Sequence, residues 1–174
     1  LSGEAGSDSY SRGVIDLTGP VGAGGGFSLR VAGKDDGEPV ESTTFESDMV
    51  SGRLSFGMTD AWSLKIFGNY SDSKGTAFPE DSGGADLAII RDVDTRNAES
   101  TRFGLTSDIA LSERWSLKFL AASYDHEAGY SSPGIAPGVR EGVPPNGADS
   151  SLDRNSLAVH AVASINETFT ATFG

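Results

Sequence analysis

Apolar and polar residues alternate along much of this chain with a period of two, the signature of a strand that shows a different character on each face. In the stretch 62–74, Trp62, Leu64, Ile66 and Tyr70 share one side with Gly68 between them. Ser63, Lys65, Asn69 and Ser71 take the other side, where Phe67 is the exception. The stretch 115–128 repeats the arrangement, with Trp115, Leu117, Phe119 and Ala121 opposite Ser116, Lys118, Leu120 and Ala122. In 44–58, Val50, Leu54, Phe56 and Met58 oppose Ser51, Arg53, Ser55 and Gly57. In 97–112, Phe103, Leu105, Ile109 and Leu111 oppose Arg102, Thr106 and Asp108. In 152–166, Leu157, Val159, Ala161, Ala163 and Ile165 oppose His160, Ser164 and Asn166. With 9–18, 26–36 and 169–174, the pattern predicts eight strands and an all-β, antiparallel up-and-down meander.

One phrase recurs at the starts of four strands. Phe27-Ser28-Leu29-Arg30, Trp62-Ser63-Leu64-Lys65, Trp115-Ser116-Leu117-Lys118 and Phe169-Thr170-Ala171-Thr172 each open on an aromatic residue. The aromatics are 35, 53 and then 54 residues apart, a spacing that marks a repeated hairpin. Tight polar turns precede three of them, at 59–61, 112–114 and 166–168, and a longer glycine-rich connection at 19–25 precedes Phe27. The alternate connections, 35–43, 75–96 and 129–151, are long, polar and supplied with Gly and Pro. Short turns at one end and long loops at the other characterise transmembrane β-barrels of the outer-membrane kind.

A soluble antiparallel sheet also buries one face and wets the other, so two further features separate the cases. The strand basic residues Arg12, Arg30, Arg53, Lys65, Arg102 and Lys118, together with His160, fall on the polar face, which in a barrel lines the lumen. The aromatics Phe27, Trp62, Trp115 and Phe169 at the turn edge, with Tyr70 at the far margin, fit the two interfacial girdles that flank an apolar band about 25 Å tall. The sheet is therefore expected to be a partial segment of a transmembrane β-barrel. No stretch approaches the roughly 18 uninterrupted apolar residues that a membrane helix requires.

Composition narrows the chemistry. The 174 residues include no cysteine, so neither a disulfide nor a thiolate metal site is available. Leu1 to Gly6 lacks both a basic region and an apolar run, so a secretory leader is not expected among these residues. A net charge of −12 argues against nucleic acid as a partner, because such binding draws on basic surface. The charge is also sorted. The windows 35–48, 72–99 and 125–153 hold 18 of the 25 acidic residues and 4 of the 13 basic ones. Acidic loops serve solubility, and they also attract cationic ligands or Ca²⁺, which takes six to eight oxygens. Glu41, the pair Glu80–Asp81 and the pair Asp92–Asp94 are the candidate ligand-loop residues, though none has calcium-loop spacing. No nucleophile elbow, zinc-helix motif or phosphate loop occurs, and His126 and His160 stand apart in sequence, so no enzyme activity is expected. His160 reads as part of a polar network, and no cofactor is expected.

Two segments resemble the TonB-dependent outer-membrane receptors. Ser9 through Gly22, Ser-Tyr-Ser-Arg-Gly-Val-Ile-Asp-Leu-Thr-Gly-Pro-Val-Gly, is similar to that family's first barrel strand and first periplasmic turn. Phe45 through Ser71, with its Met58-Thr59-Asp60-Ala61-Trp62-Ser63-Leu64-Lys65 core, is similar to the third and fourth strands, closest to the vitamin B12 (cobalamin) receptor branch. The resemblance implies a 22-stranded barrel in the Gram-negative outer membrane, closed by an N-terminal plug. It implies uptake of a scarce small-molecule nutrient, a ferric siderophore or cobalamin, with outer-membrane lipid around the barrel and TonB engaging the plug region. Residues 1–174 would then be the N-terminal portion of the barrel, with the plug and the remaining strands absent. The cobalamin branch carries an acidic Asp-x-Asp-Gly-Phe-like calcium stretch before its third strand. Here Glu41-Ser42-Thr43-Thr44-Phe45 stands there, and Glu41 alone keeps the acidic character. Two other readings remain open on the residues: a small eight-stranded outer-membrane barrel with a structural or adhesion role, and a soluble β-sandwich binding module.

Overall fold

The computed structural model describes residues 1–80, 82–138, 141–165 and 169–174. Its strands are β1 (Ser2–Ala5), β2 (Ser11–Val21), β3 (Gly25–Asp35), β4 (Thr44–Thr59), β5 (Trp62–Ala77), β6 (Asp94–Ala110), β7 (Trp115–Ser132), β8 (Asn146–Ser164) and β9 (Thr170–Phe173). A four-residue helical turn, α1 (Gly84–Leu87), lies between β5 and β6. The strands form one antiparallel sheet whose spatial order is the chain order, the meander that the alternation predicts. β1 and β9 do not pair with each other, so the sheet is open.

The departures from the sequence reading have local causes. The described residues form nine strands rather than eight. β1 is small and polar, carries no alternation, and is held by its ladder to β2, from Ser2↔Val14 to Ala5↔Ser11. The glycine-rich connection is a three-residue turn, closed by the pair Val21↔Gly25 and made by Gly22 and Gly24 at φ of 58° and 86°. Gly19 and Pro20 belong to β2. Gly19 faces Phe27 across the ladder, and a Cβ there would stand 2.7 Å from the Phe27 ring. Pro20 sits on a length of β2 whose other edge has no partner, where a missing N–H costs no ladder bond. Strands β5 to β8 run three to six residues further than expected at the loop end, to pairs such as Ala77↔Asp94 and Ser132↔Asn146. Those extensions are polar on both faces, so backbone pairing continues where periodicity has faded. The expected turn at 166–168 lies outside the described residues.

Cross-strand register fixes the faces. One face carries Ile15, Leu17 and Val21, then Phe27, Leu29 and Val31, then Val50, Leu54 and Phe56. It continues through Trp62, Leu64, Ile66 and Tyr70, then Phe103, Leu105 and Ile109, then Leu117 and Phe119, and ends on Leu157 and Val159. From Trp62 to Tyr70 this band measures about 26 Å along the strand at roughly 3.3 Å per residue. Met58 falls at a register shift between Gly57 and Thr59, a bulge next to the tight turn.

A globular domain packs such a face against a second layer. Among the described residues none covers it. Among the described residues the buried apolar side chains are Val14, Ala88 and Ala163, and no large side chain is fully buried, while Leu157 is 78% exposed and Phe103 54%. The connections 22–24, 60–61 and 111–114 lie at one end, and 36–43, 78–93 and 133–145 at the other. The sorting of short turns from long loops is as the sequence indicates.

Candidate functional site

On the polar face, near the long loops, the ladder sets Phe45, Gly75, Arg96, Tyr130 and Ala148 side by side on five successive strands. One step toward the turns comes a second row of small residues, Ser73, Ala98, Ala128 and Ser150. The two rows form a groove of about 650 Å³ with a floor of small side chains and walls of Phe45, Arg96 and Tyr130. That size falls within the range for small-molecule sites.

The walls are held from several directions. The Arg96 guanidinium lies 5.4 Å from the Tyr130 ring centroid. The Tyr130 hydroxyl donates to Asp94 Oδ2 at 3.1 Å, which fixes the ring's edge. Asp94 is only 6% exposed, and its Oδ1 has no hydrogen-bond partner among the described residues. Arg96 has no ion pair there either, so its charge is available to a ligand. Lys34 approaches the Phe45 ring to 5.6 Å and pairs with Asp36 at 2.8 Å. Thr44 and Thr76 share a hydroxyl hydrogen bond of 2.9 Å, and Thr76 also donates to the Ser42 carbonyl at 2.8 Å. Arg91 ties the loops together, pairing with Glu41 while its guanidinium rests 5.1 Å from the Phe78 ring centroid. The arrangement suits a ligand with a flat or apolar body and an anionic group within reach of Arg96.

The acidic candidates from the sequence separate here. Glu41 is spent on Arg91, Glu80 and Asp92 are exposed in the loop 78–93, and Asp81 lies outside the described residues. Asp94 opens β6 and is buried beneath Tyr130. Among the described residues no group of three His, Cys, Asp or Glu side chains is placed to hold a metal ion. Glu41, Glu80, Asp92 and Asp94 therefore do not converge into a calcium site.

Arg30, Arg53, Lys65, Arg102, Lys118 and His160 all share the polar face by register, as expected. Lys118 pairs with Asp108 at 3.3 Å and stands directly opposite His160. The expectation that strand cations keep to this face has one exception, Lys74, which pairs in register with Glu46 on the opposite face. Phe27, Trp62 and Trp115 lie on the apolar face at the turn end, and Tyr70 lies at its far margin. Phe169 is exposed just before β9. Trp62 Nε1 donates to Ser107 Oγ at 2.9 Å, which satisfies its one polar group.

Sequence reasoning missed Arg96, Tyr130 and Arg154. Each belongs to a strand extension read as loop, or to a stretch without clear alternation. The signal that could have found them is parity, since Arg96 continues the even-numbered face of Arg102 and Tyr130 that of Lys118. No protein-family model matches the chain, and no curated protein matches it.

Proposed function

We propose that this chain forms part of the wall of an outer-membrane β-barrel receptor of the TonB-dependent kind, importing a scarce nutrient such as a ferric siderophore or cobalamin. One observation carries the reading: an uncovered apolar band across seven strands, edged with aromatics, between short turns and long loops. Leaving that much apolar surface in water would cost roughly 25 cal/mol for each Å², whereas lipid removes the cost. In this orientation the polar face looks inward, and the Phe45–Arg96–Tyr130 groove lies at the outer mouth, where an arriving ligand would first be held.

The open strand order favours a larger barrel over a closed eight-stranded one. Along β8, β9 pairs only with Ala161 to Ser164, so the preceding length of β8 has room for a full neighbouring strand. A soluble sandwich would need a second sheet, and all nine strands belong to one.

Uptake tests the reading. Cells making the protein are compared with cells lacking its gene, each with and without TonB, using labelled ferric chelates and labelled cobalamin. Accumulation of one ligand that needs both the protein and TonB is the expected result. Accumulation of every ligand at the same rate without the protein would overturn the proposal. At the groove, Arg96→Gln with Tyr130→Ala is expected to weaken binding of the imported ligand at least about tenfold, for the loss of one charged contact and one stacked ring.

A further inference from the structure

The apolar face changes character across β6, β7 and β8, where it carries a furrow of about 380 Å³. Register gives its cross-section. Phe103 and Leu105 stand on β6, Asn155 and Leu157 on β8, and the small Ala121 and Ser123 lie between them on β7. The two rims are two strand spacings apart, about 10 Å at about 4.8 Å a step. One step further toward the long loops on the same face, Asp125 and Asp153 stand directly opposite each other. They share a row with Thr101 and Tyr70, the aromatic at the far margin of the apolar band. Glu127, opposite Glu99, follows in the next row. This face of β6, β7 and β8 carries no Lys, Arg or His. On β5 the same face has Lys74, which is engaged with Asp72 at 3.7 Å.

Like charges directly opposite on a ladder destabilise it, and the cost rises where neighbouring lipid lowers the dielectric. The sheet offers this pair no counter-charge of its own, so the neutralising cation comes from outside. The furrow that ends on the pair says what carries the cation: a molecule with a long apolar part below and a positive group above, at the depth of the interfacial aromatics. We infer that this corner binds one membrane lipid with a primary-ammonium head group, phosphatidylethanolamine. An acyl chain fills the furrow, the ammonium donates to Asp125 and Asp153, and Ser123 and Asn155 donate to the ester and phosphate oxygens just inside it. A choline head group has no N–H to donate, and a phosphatidylglycerol head group brings only negative charge to the carboxylates. The inference rests on the membrane reading above, which sets this face in lipid.

The test uses the full chain folded in detergent micelles with equimolar dioleoyl phosphatidylethanolamine, phosphatidylcholine and phosphatidylglycerol, and native mass spectrometry to count the lipid retained. Phosphatidylethanolamine is expected to be retained at least about tenfold over either competitor, the worth of one well-made charged hydrogen bond. Asp125→Asn with Asp153→Asn is expected to remove that preference, and because it relieves a like-charge contact it leaves the sheet folded, which circular dichroism checks. Asp48→Asn, a carboxylate on the same face at β4, is expected to leave the preference intact. Ala121→Leu fills the floor of the furrow without touching the carboxylates, and is expected to lower retention of phosphatidylethanolamine. Equal retention of the three lipids would overturn the inference and leave the membrane reading standing. So would a preference that the double variant leaves unchanged, retention that Ala121→Leu does not lower, or a preference abolished by a chelator, which would make the occupant a bridging divalent cation. Retention of no lipid by a chain that folds as a monomer in plain buffer would overturn both.

Discussion

At Gly104 there is no room for a side chain. A Cβ there would stand 2.5 Å from Cζ of Phe67 and 2.9 Å from the Ala121 carbonyl oxygen. Phe67 is the large apolar residue that breaks the alternation of β5, and this contact explains it: the ring covers the bare backbone of its cross-strand partner Gly104 while Arg102 rests near its face. Gly104→Val is expected to cost about 1–3 kcal/mol of folding stability in micelles, from the displaced ring. Gly13→Ala serves as the contrast, because a Cβ at Gly13 meets nothing within 4 Å and its stability should hardly change. Parity makes a second residue-scale prediction. Ile66 pairs with Leu54 and Leu105 in the middle of the apolar band, whereas neighbouring Lys65 faces the polar side. Ile66→Arg is expected to cost about 2–4 kcal/mol when folding is measured into lipid vesicles, and Lys65→Gln less than about 0.5 kcal/mol. Equal costs would contradict the assignment of the faces.

At the scale of elements, the sequence displays its strands only where one face is apolar. The middles of β4, β5, β6 and β7 are legible because Trp62 to Tyr70 and Trp115 to Ala121 alternate with polar partners. Their outer ends are not, since pairs such as Asp72↔Glu99 and Glu127↔Ser151 are polar and leave no apolar face to show the period. The groove was hidden for the same reason: Arg96 and Tyr130 sit in those outer ends, and Phe45 lies at the start of β4. The acidic residues were visible, but spacing along the chain does not show that Glu41 is taken by Arg91 or that Asp94 lies under Tyr130. The ladders also differ in support. β5, β6 and β7 have full neighbours on both sides, whereas β1 and β9 hold four residue pairs each. Hydrogen exchange of the folded protein is expected to be slowest in the amides of β5, β6 and β7 and fastest in β1 and β9. Protection in β1 equal to that in β5 would contradict this order.

Across the whole molecule, three separations coincide. Apolar and polar residues part between the two faces, short and long connections part between the two ends, and acidic residues gather toward the long-loop end while Arg30, Arg53, Arg102 and Arg154 hold the middle of the polar face. A single sheet gains little from such sorting in water, where its apolar band stays uncovered. In a bilayer each separation has a cause: lipid for the band, interfaces for the aromatics, and an aqueous interior for the charges. Trp62 and Trp115 are the chain's two tryptophans, and both lie on the apolar face at the turn end. They allow the central claim to be read from one signal. The chain is folded into vesicles whose lipids carry bromine either close to the head group or at the chain terminus, and tryptophan fluorescence is recorded. The account predicts quenching by both lipids, stronger from bromine near the head group. Absence of quenching by either lipid, with the chain folded as a cooperative monomer in plain buffer, would contradict it.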